Sequence, residues 1–344
     1  KFKKYPCNLG QVNALWENPK SPGTLWVGTS TEGLFTFDMK SGIFYEKANT
    51  KTARSRLTDN FVRALCQDSQ GRLWIGTRGG IEIFDEASGH FSICQHEAGD
   101  NNSLSQNSVH TIFRDAKGSV WVGTYFGGAN VVYAHASDFK TYANNNVHSS
   151  ISSDVITSIV EDASHNLWIG TDGGGLNYFD RTGDKFISYE HNESDRGSIG
   201  SSLVKVVLID TDGNVWAGTH GGGLNVLESH RFKKYLYKEN EQLKETTEVE
   251  SILEDKSGRF WVGSEDGLNV FIRKGRELLP YFGPLNIKNT QHLRSIHLLF
   301  EDSKSNIWMV ASGILYFLKA GEKNFSSWTP LSDSHITSKV NCIR

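Results

Sequence analysis

The chain has no stretch approaching the roughly 18 consecutive apolar residues that a membrane helix needs, and no excess of one charge. Its 344 residues carry 36 Lys and Arg against 39 Asp and Glu, a net charge of -3 with the two signs interspersed. That balance gives no argument for nucleic acid or an anionic membrane surface as a partner. The opening KFKKYPC lacks the apolar core of a secretory signal, so the sequence reads as a soluble piece trimmed from something longer. Four cysteines, Cys7, Cys66, Cys94 and Cys342, form no CxxC and match no zinc spacing. Cys66 and Cys342 close corresponding apolar strands as small hydrophobes, and the redox compartment stays open. No GxSxG, no phosphate loop and no sustained 3.6-residue apolar period is found.

What the chain has instead is a ruler of tryptophans. Trp26, Trp74, Trp121, Trp168, Trp216, Trp261 and Trp308 follow one another at 48, 47, 47, 48, 45 and 47 residues. Six stand in near-copies of one phrase: LWVGT, LWIGT, VWVGT, LWIGT, VWAGT and FWVGS; the seventh is the degenerate IWMVA (307–311). A fixed period of this length marks a repeat architecture. The unit around Trp168 shows its content. Residues 155–162 alternate like a strand, LWIGT (167–171) and LNYFD (176–180) are short β-branched or aromatic runs, and KFISYEHN (185–192) alternates again. Turn signals separate them, as in DSQGR, DAKGS, DTDGN and DKSGR, where Asp caps the turn and Gly supplies positive φ.

Each unit is therefore a four-stranded antiparallel meander, and one such sheet cannot bury both faces alone. Seven packed around an axis can, with each tryptophan filling the gap to its neighbour. The expected fold is an all-β, seven-bladed β-propeller. Its blades fall at about 8–48, 57–97, 104–143, 151–192, 199–240, 246–284 and 290–329. Residues 238–251 read as a long loop leading into a strand. Two pieces are surplus: KFKKY at 1–5, which resembles the outer strand in RFKKYLY (231–237), and KVNCIR at 339–344, which resembles an inner strand. Residues 1–7 and 330–344 are then either remnants of a longer array or, for KFKKY, the strand that completes the last blade.

The run VITSIVEDASHNLWIGTDGGGLNYFD (155–180), repeated in 109–132 and 204–227, resembles the two-component regulator propeller repeat, with His165-Asn166 where Gly is usual. The resemblance covers about residues 8–329. It implies a periplasmic sensor region of a Bacteroidetes hybrid two-component protein, anchored in the inner membrane. That region senses glycan-derived oligosaccharides and signals to a histidine kinase that is not in this chain. It also implies an adjoining propeller or immunoglobulin-like domain and the option of a homodimer. This fragment is expected to be no enzyme and to hold no cofactor.

Site candidates are the residues that vary on a constant frame. After each Gly-Thr the chain places Ser30, Arg78, Tyr125 with Phe126, Asp172, His220 and Glu265. Aromatic faces can stack on sugar rings, and charged groups can bond hydroxyls or a uronate carboxylate. The bland alternative is a set of solvated loop residues around a wet channel. Asp172 and Glu265 are also candidates for a paired-carboxylate glycosidase, although 39 acids give many chance pairs. Asp68, Asp115, Asp162, Asp210, Asp255 and Asp302 recur in every such turn and read as caps. Asp210-Thr211-Asp212-Gly213 begins like a calcium loop but lacks the downstream Glu. His110, His165, His220 and His297 read as unrelated repeat positions, so no metal site is expected. A sensor, a carbohydrate-active enzyme and a protein-interaction platform are the three function classes left standing.

Overall fold

The computed structural model describes residues 3–5, 11–48, 57–134, 136, 139–145, 149–235, 237–239, 242–244, 248–274, 277–281 and 294–321. Within them the chain forms seven four-stranded antiparallel sheets arranged as a ring, a β-propeller. From the inner strand outward, blade I is Val12–Glu17, Thr24–Thr29, Leu34–Asp38 and Ile43–Ala48. Blade II is Val62–Gln67, Leu73–Thr77, Ile81–Asp85 and His90–Cys94. Blade III is Val109–Arg114, Val120–Thr124, Ala129–Val132 and Phe139–Tyr142. Blade IV is Ile156–Glu161, Leu167–Thr171, Leu176–Asp180 and Lys185–Tyr189. Blade V is Val204–Ile209, Val215–Thr219, Gly223–Glu228 and Arg231–Lys234. Blade VI is Val249–Glu254, Arg259–Ser264, Gly267–Lys274 and Glu277–Pro280.

Blade VII combines both ends of the described chain. Ile296–Glu301, Ile307–Ala311 and Ile314–Leu318 are its first three strands, and Lys3–Tyr5 pairs antiparallel with the third, Lys4 opposite Tyr316. The KFKKY strand thus lies in the last sheet. The KVNCIR segment lies outside the described residues, as do Cys7 and Cys342. The stretch expected as a loop at 238–251 is different in part: Tyr237–Glu239 and Gln242–Lys244 pair as a separate two-stranded ribbon, with Lys238 opposite Leu243. The extra length of this connection lets it pair with itself rather than run directly into blade VI.

The recurring phrase has a physical account, position by position. The turn Asp receives a backbone N–H four residues on, as at Asp115, and at Asp68, Asp162, Asp210, Asp255 and Asp302 another two residues on. At Asp68 these are Gln70 and Arg72, both at 2.9 Å. In five blades its second oxygen receives the indole N–H six residues on. The pairs are Trp74 to Asp68 at 2.9 Å, Trp121 to Asp115 at 3.0 Å, Trp216 to Asp210 at 2.8 Å, Trp261 to Asp255 at 2.8 Å and Trp308 to Asp302 at 2.9 Å. The Asp therefore caps its turn and also satisfies a buried indole, which would otherwise be an expensive orphan. The ring of each tryptophan closes the seam to a neighbour: Trp26 meets Phe84, Trp121 meets Phe179, Trp216 meets Phe260 and Trp308 meets Phe37.

The Gly of Gly-Thr is required by close approach. A Cβ on Gly28, Gly76, Gly123, Gly170, Gly218 or Gly263 would meet the first Val or Ile of the next blade's inner strand at 2.5–2.9 Å. The Thr hydroxyl then bonds back across the following turn, as Thr171 does to the Gly175 carbonyl at 2.8 Å. In blade VII the Gly is replaced by Val310, and that side chain packs directly with Val12 in the core cluster shared by blades VII and I. Glu side chains at the ends of inner strands tie blades together: Glu161, Glu254 and Glu301 accept the backbone N–H of Ala116, Thr211 and Lys256 in the preceding blade, and Glu17 accepts that of Ser303 across the I–VII seam.

Candidate functional site at the channel mouth

Every inner strand carries the same irregularity. The pairing with the second strand slips between the first and third residue in all seven blades. A bulge of this kind leaves one residue unpaired and re-aims its side chain. The bulged residues are Asn13, Arg63, His110, Thr157, Lys205, Glu250 and His297, one per blade. His110 and His297 therefore occupy equivalent positions, which corrects the sequence reading of them as unrelated; strict two-residue alternation conceals a position that only the slip in pairing defines. Asn13 and Thr157 serve the ring itself, donating to the carbonyls of Val62 and Val204 in the next blade at 2.9 and 2.8 Å. The other five are ionisable.

The loops after Gly-Thr lie at the same end of the ring. The N–H groups of Ser30, Tyr125, Asp172 and His220 donate to Gln11, Ser108, Val155 and Leu203, just before each inner strand, at 2.7–2.9 Å. Ser30 also accepts the Gln11 N–H on its hydroxyl at 3.0 Å, which makes it part of the frame. Asp172 and His220 further form isolated backbone bridges to Leu203 and Glu248 of the following blade. Loop and bulge side chains from different blades thus converge on one mouth.

Blades II and III form its cationic side. Arg63 is only 7% exposed. It donates to the Ser108 hydroxyl at 3.0 Å, yet its Nε is buried with no hydrogen bond, and no carboxylate pairs with it among the described residues. Arg78 lies over the Phe61 ring at 3.7 Å from its centre, and Arg63 approaches the same ring at 5.0 Å. Burial, and then the Arg78 charge, hold the Arg63 pKa below its ordinary value. His110 stacks on Tyr125 at 5.1 Å, and Tyr125 meets Phe126 edge-on at 4.3 Å. Burial first, then Arg63 and Lys205, push the His110 pKa down to about 4, against a smaller opposing pull from Asp172. His110 is therefore neutral at neutral pH. His110 in blade III and Lys205 in blade V are both bulged residues of their inner strands.

The remaining candidates are distributed around the other side. Asp172 pairs with Lys205 at 3.4 Å. His220 contacts Glu248. Exposed Glu265 takes the Ser295 N–H on its backbone carbonyl at 2.9 Å. Asp172 and Glu265 are thus not assembled as a carboxylate couple: one is neutralised by Lys205 and the other sits two blades away. Asp210 and Asp212 are both used within the protein, by Trp216 and by Arg273. The sequence reading missed Phe61, Arg63, His110, Lys205, Glu248, Glu250 and His297. The available signal was that the residue after the first Val or Ile of each inner strand is polar and takes six identities in seven units, with His alone occurring twice.

Two grooves lie away from this mouth. One, between blades III and IV, is lined by Lys140, Tyr142, Arg181 and Asp184, and the other, between IV and V, by Trp168, Tyr178, Ile187 and Tyr189. Their rings are engaged in packing, Trp168 with Tyr178 and Tyr189 inside blade IV, and Tyr142 with Phe179 and Phe186 across the III–IV seam. Cys66 is buried, and burial raises its thiol to about 11, so it is an inert core residue at neutral pH.

The ring is a seven-bladed β-propeller with a constant frame and side chains at its mouth that differ from blade to blade. Residues 56–79, 103–126, 150–173 and 244–266 match the family described as two component regulator propeller. The resemblance read from the motif therefore holds. Among solved structures, the extracellular domain of BT4673 from B. thetaiotaomicron is similar over 93% of this chain and 42% of that chain, with TM-score 0.70 and 21% identity. A second structure of the same domain covers 96% and 44% at the same score; the first is described as a one component system and the second as a hybrid two component system. YCF48 bound to D1 peptide matches over 93% of this chain and 94% of that one, at TM-score 0.65 and 10% identity. This chain thus spans less than half the length of the BT4673 domain. No curated protein matches it. Among the described residues no helix is long and apolar enough to cross a membrane.

Proposed function

We propose that this propeller is a ligand-sensing part of the extracytoplasmic, periplasmic region of a hybrid two-component sensor, and that it recognises acid-bearing oligosaccharides at the channel mouth. The observation that carries the reading is Arg63: a buried guanidinium with no carboxylate in ion-pair contact among the described residues, beside a second arginine and with only a weaker opposing pull from Asp59, is unfavourable unless an anion completes it. A uronate or sulfate group supplies that anion. Tyr125 and Phe126, 39% and 64% exposed, offer faces for the neighbouring ring. Neutral His110 and the Asp172–Lys205 pair supply hydrogen bonds to hydroxyls. The seams are packed by tryptophan rings and tied by glutamates, so the ring responds as a rigid body. Binding then shifts its placement against an adjoining propeller, an immunoglobulin-like domain or a second copy, and the signal passes to a histidine kinase outside this chain.

The test is calorimetry of this chain against size-matched acidic and neutral oligosaccharides, with products followed by chromatography. Saturable binding of the acidic set alone, with the sugar intact, is expected. Arg63→Gln and Arg78→Ala should each weaken it at least tenfold. Equal binding of neutral sugars, binding unchanged by both variants, or no binding sinks the acidic-ligand reading, and consumption of the sugar makes the domain an enzyme.

A further inference from the structure

The opposite side of the mouth has different chemistry. His220 follows Gly-Thr in blade V, Glu248 and Glu250 enter and begin the inner strand of blade VI, and His297 is the bulged residue of blade VII. One ligand atom from each of His220, Glu248 and Glu250 lies within 4.8 Å of the other two. His297 Nδ1 is 3.8 Å from the Glu250 carboxylate. We infer that these four side chains form a binding site for a divalent transition-metal ion of the zinc class, tying blades V, VI and VII together.

Two independent features support the site. The first is that its ligands are positioned by backbone: the bridge between His220 and Glu248 holds loop and strand in register, and the bulges at Glu250 and His297 turn both side chains out of their ladders. The second is an orphan. His297 Nδ1 is buried without a hydrogen bond, and 3.8 Å is too long for one to Glu250. Two imidazole nitrogens with two carboxylate oxygens suit a four-coordinate zinc-class ion, whereas calcium and magnesium take oxygen ligands almost throughout. Partly exposed His220 and Glu248 have room to draw in to bonding distance. The site stands independently of the acidic-ligand reading, since it shares no residue with Arg63, Arg78 or His110.

The test uses this chain stripped with EDTA, titrated with zinc chloride by calorimetry and thermal shift, with cobalt(II) as a spectroscopic probe. One ion per chain, a raised Tm and a visible cobalt spectrum of tetrahedral intensity are expected. His220→Ala and Glu250→Gln should each weaken zinc binding at least tenfold and bleach the cobalt band. Exposed His220 is replaceable without disturbing the core, and the metal-free Tm of each variant is measured alongside. Affinity should also fall in acid, because protons compete with the metal for its ligands. Wild-type chain that takes up no ion overturns the inference, as does zinc binding that both variants leave unchanged.

Discussion

Asp68 offers the sharpest test of why the repeat has its period. Its carboxylate accepts the N–H groups of Gln70 and Arg72 and the indole N–H of Trp74, and pairs with the Arg72 guanidinium at 2.7 Å. Asp68 is 6% exposed and Trp74 3%. Asp68→Ala strands the buried indole N–H, which costs about 1–3 kcal/mol, and removes the cap of the turn, about 1 kcal/mol more. Arg72 is half-buried and finds water. The sum is about 3 kcal/mol. Blade IV supplies an internal control: Asp162 accepts N–H groups from Ser164 and Asn166, but no hydrogen bond joins it to Trp168. Asp162→Ala should therefore lose only the capping part, about 1 kcal/mol. Thermal and urea unfolding followed by tryptophan fluorescence measure both. Equal losses at the two positions would refute the indole account and leave turn capping as the whole role. The linkage has a defined sign. Burial raises the Asp68 pKa, but bonds from Trp74 and Arg72 outweigh it and the net value is lowered. The carboxylate then contributes stability above its unfolded pKa and loses it as pH falls through the depressed folded value. Asp68→Asn should flatten that acid limb.

Three further outcomes follow from other positions. Glu82 is fully buried, one of its oxygens has no partner, and burial raises its pKa to about 7 against the bonds from Thr58. The folded state then binds the extra proton between the unfolded value and about 7, so stability falls as pH rises through that window. Glu82→Gln should raise stability at pH 8 by on the order of 3 kcal/mol, read as a higher Tm, with the gain vanishing toward pH 4; a gain independent of pH contradicts this. Gly218→Ala places a Cβ 2.5 Å from side-chain carbons of Val206 and Val249, and should cost about 1–3 kcal/mol, read as a lowered urea midpoint. His165 holds φ 64 where Gly71, Gly118, Gly213 and Gly258 hold 78–87 in equivalent turns, so His165→Gly should stabilise by about 0.5–1 kcal/mol; no gain in Tm would show that the His165–Glu161 contact offsets the strain.

The resemblance of the repeat and much of the frame were legible because they rest on local chemistry repeated along the chain. The Asp-to-Trp interval, the turn glycines and the alternating strands each depend on residues a few positions apart, and noise in one unit is averaged by the rest. Reading the Asp residues as turn caps captured half of their role; the indole bond was hidden because a sequence shows that two groups recur together, not that they touch. The ribbon at Tyr237–Lys244 was missed because a single unrepeated segment has no copies to average.

The candidate site was less legible for a different reason. The loop residues Arg78, Tyr125, Phe126, Asp172, His220 and Glu265 stand out by varying within a constant frame, and that much follows from the text alone. What each one faces does not. Arg78 and Arg63 are 15 residues apart in sequence and share Phe61, while Glu250 and His297 are 47 apart and adjacent in space. The period, the strands and the ring were determined by the sequence, since any chain that repeats a half-buried sheet seven times must close it against copies of itself. Which charges meet at the axis was decided by the tertiary structure. A bulge turns one residue per inner strand out of its ladder, and ring closure brings those residues together from blades far apart in the chain.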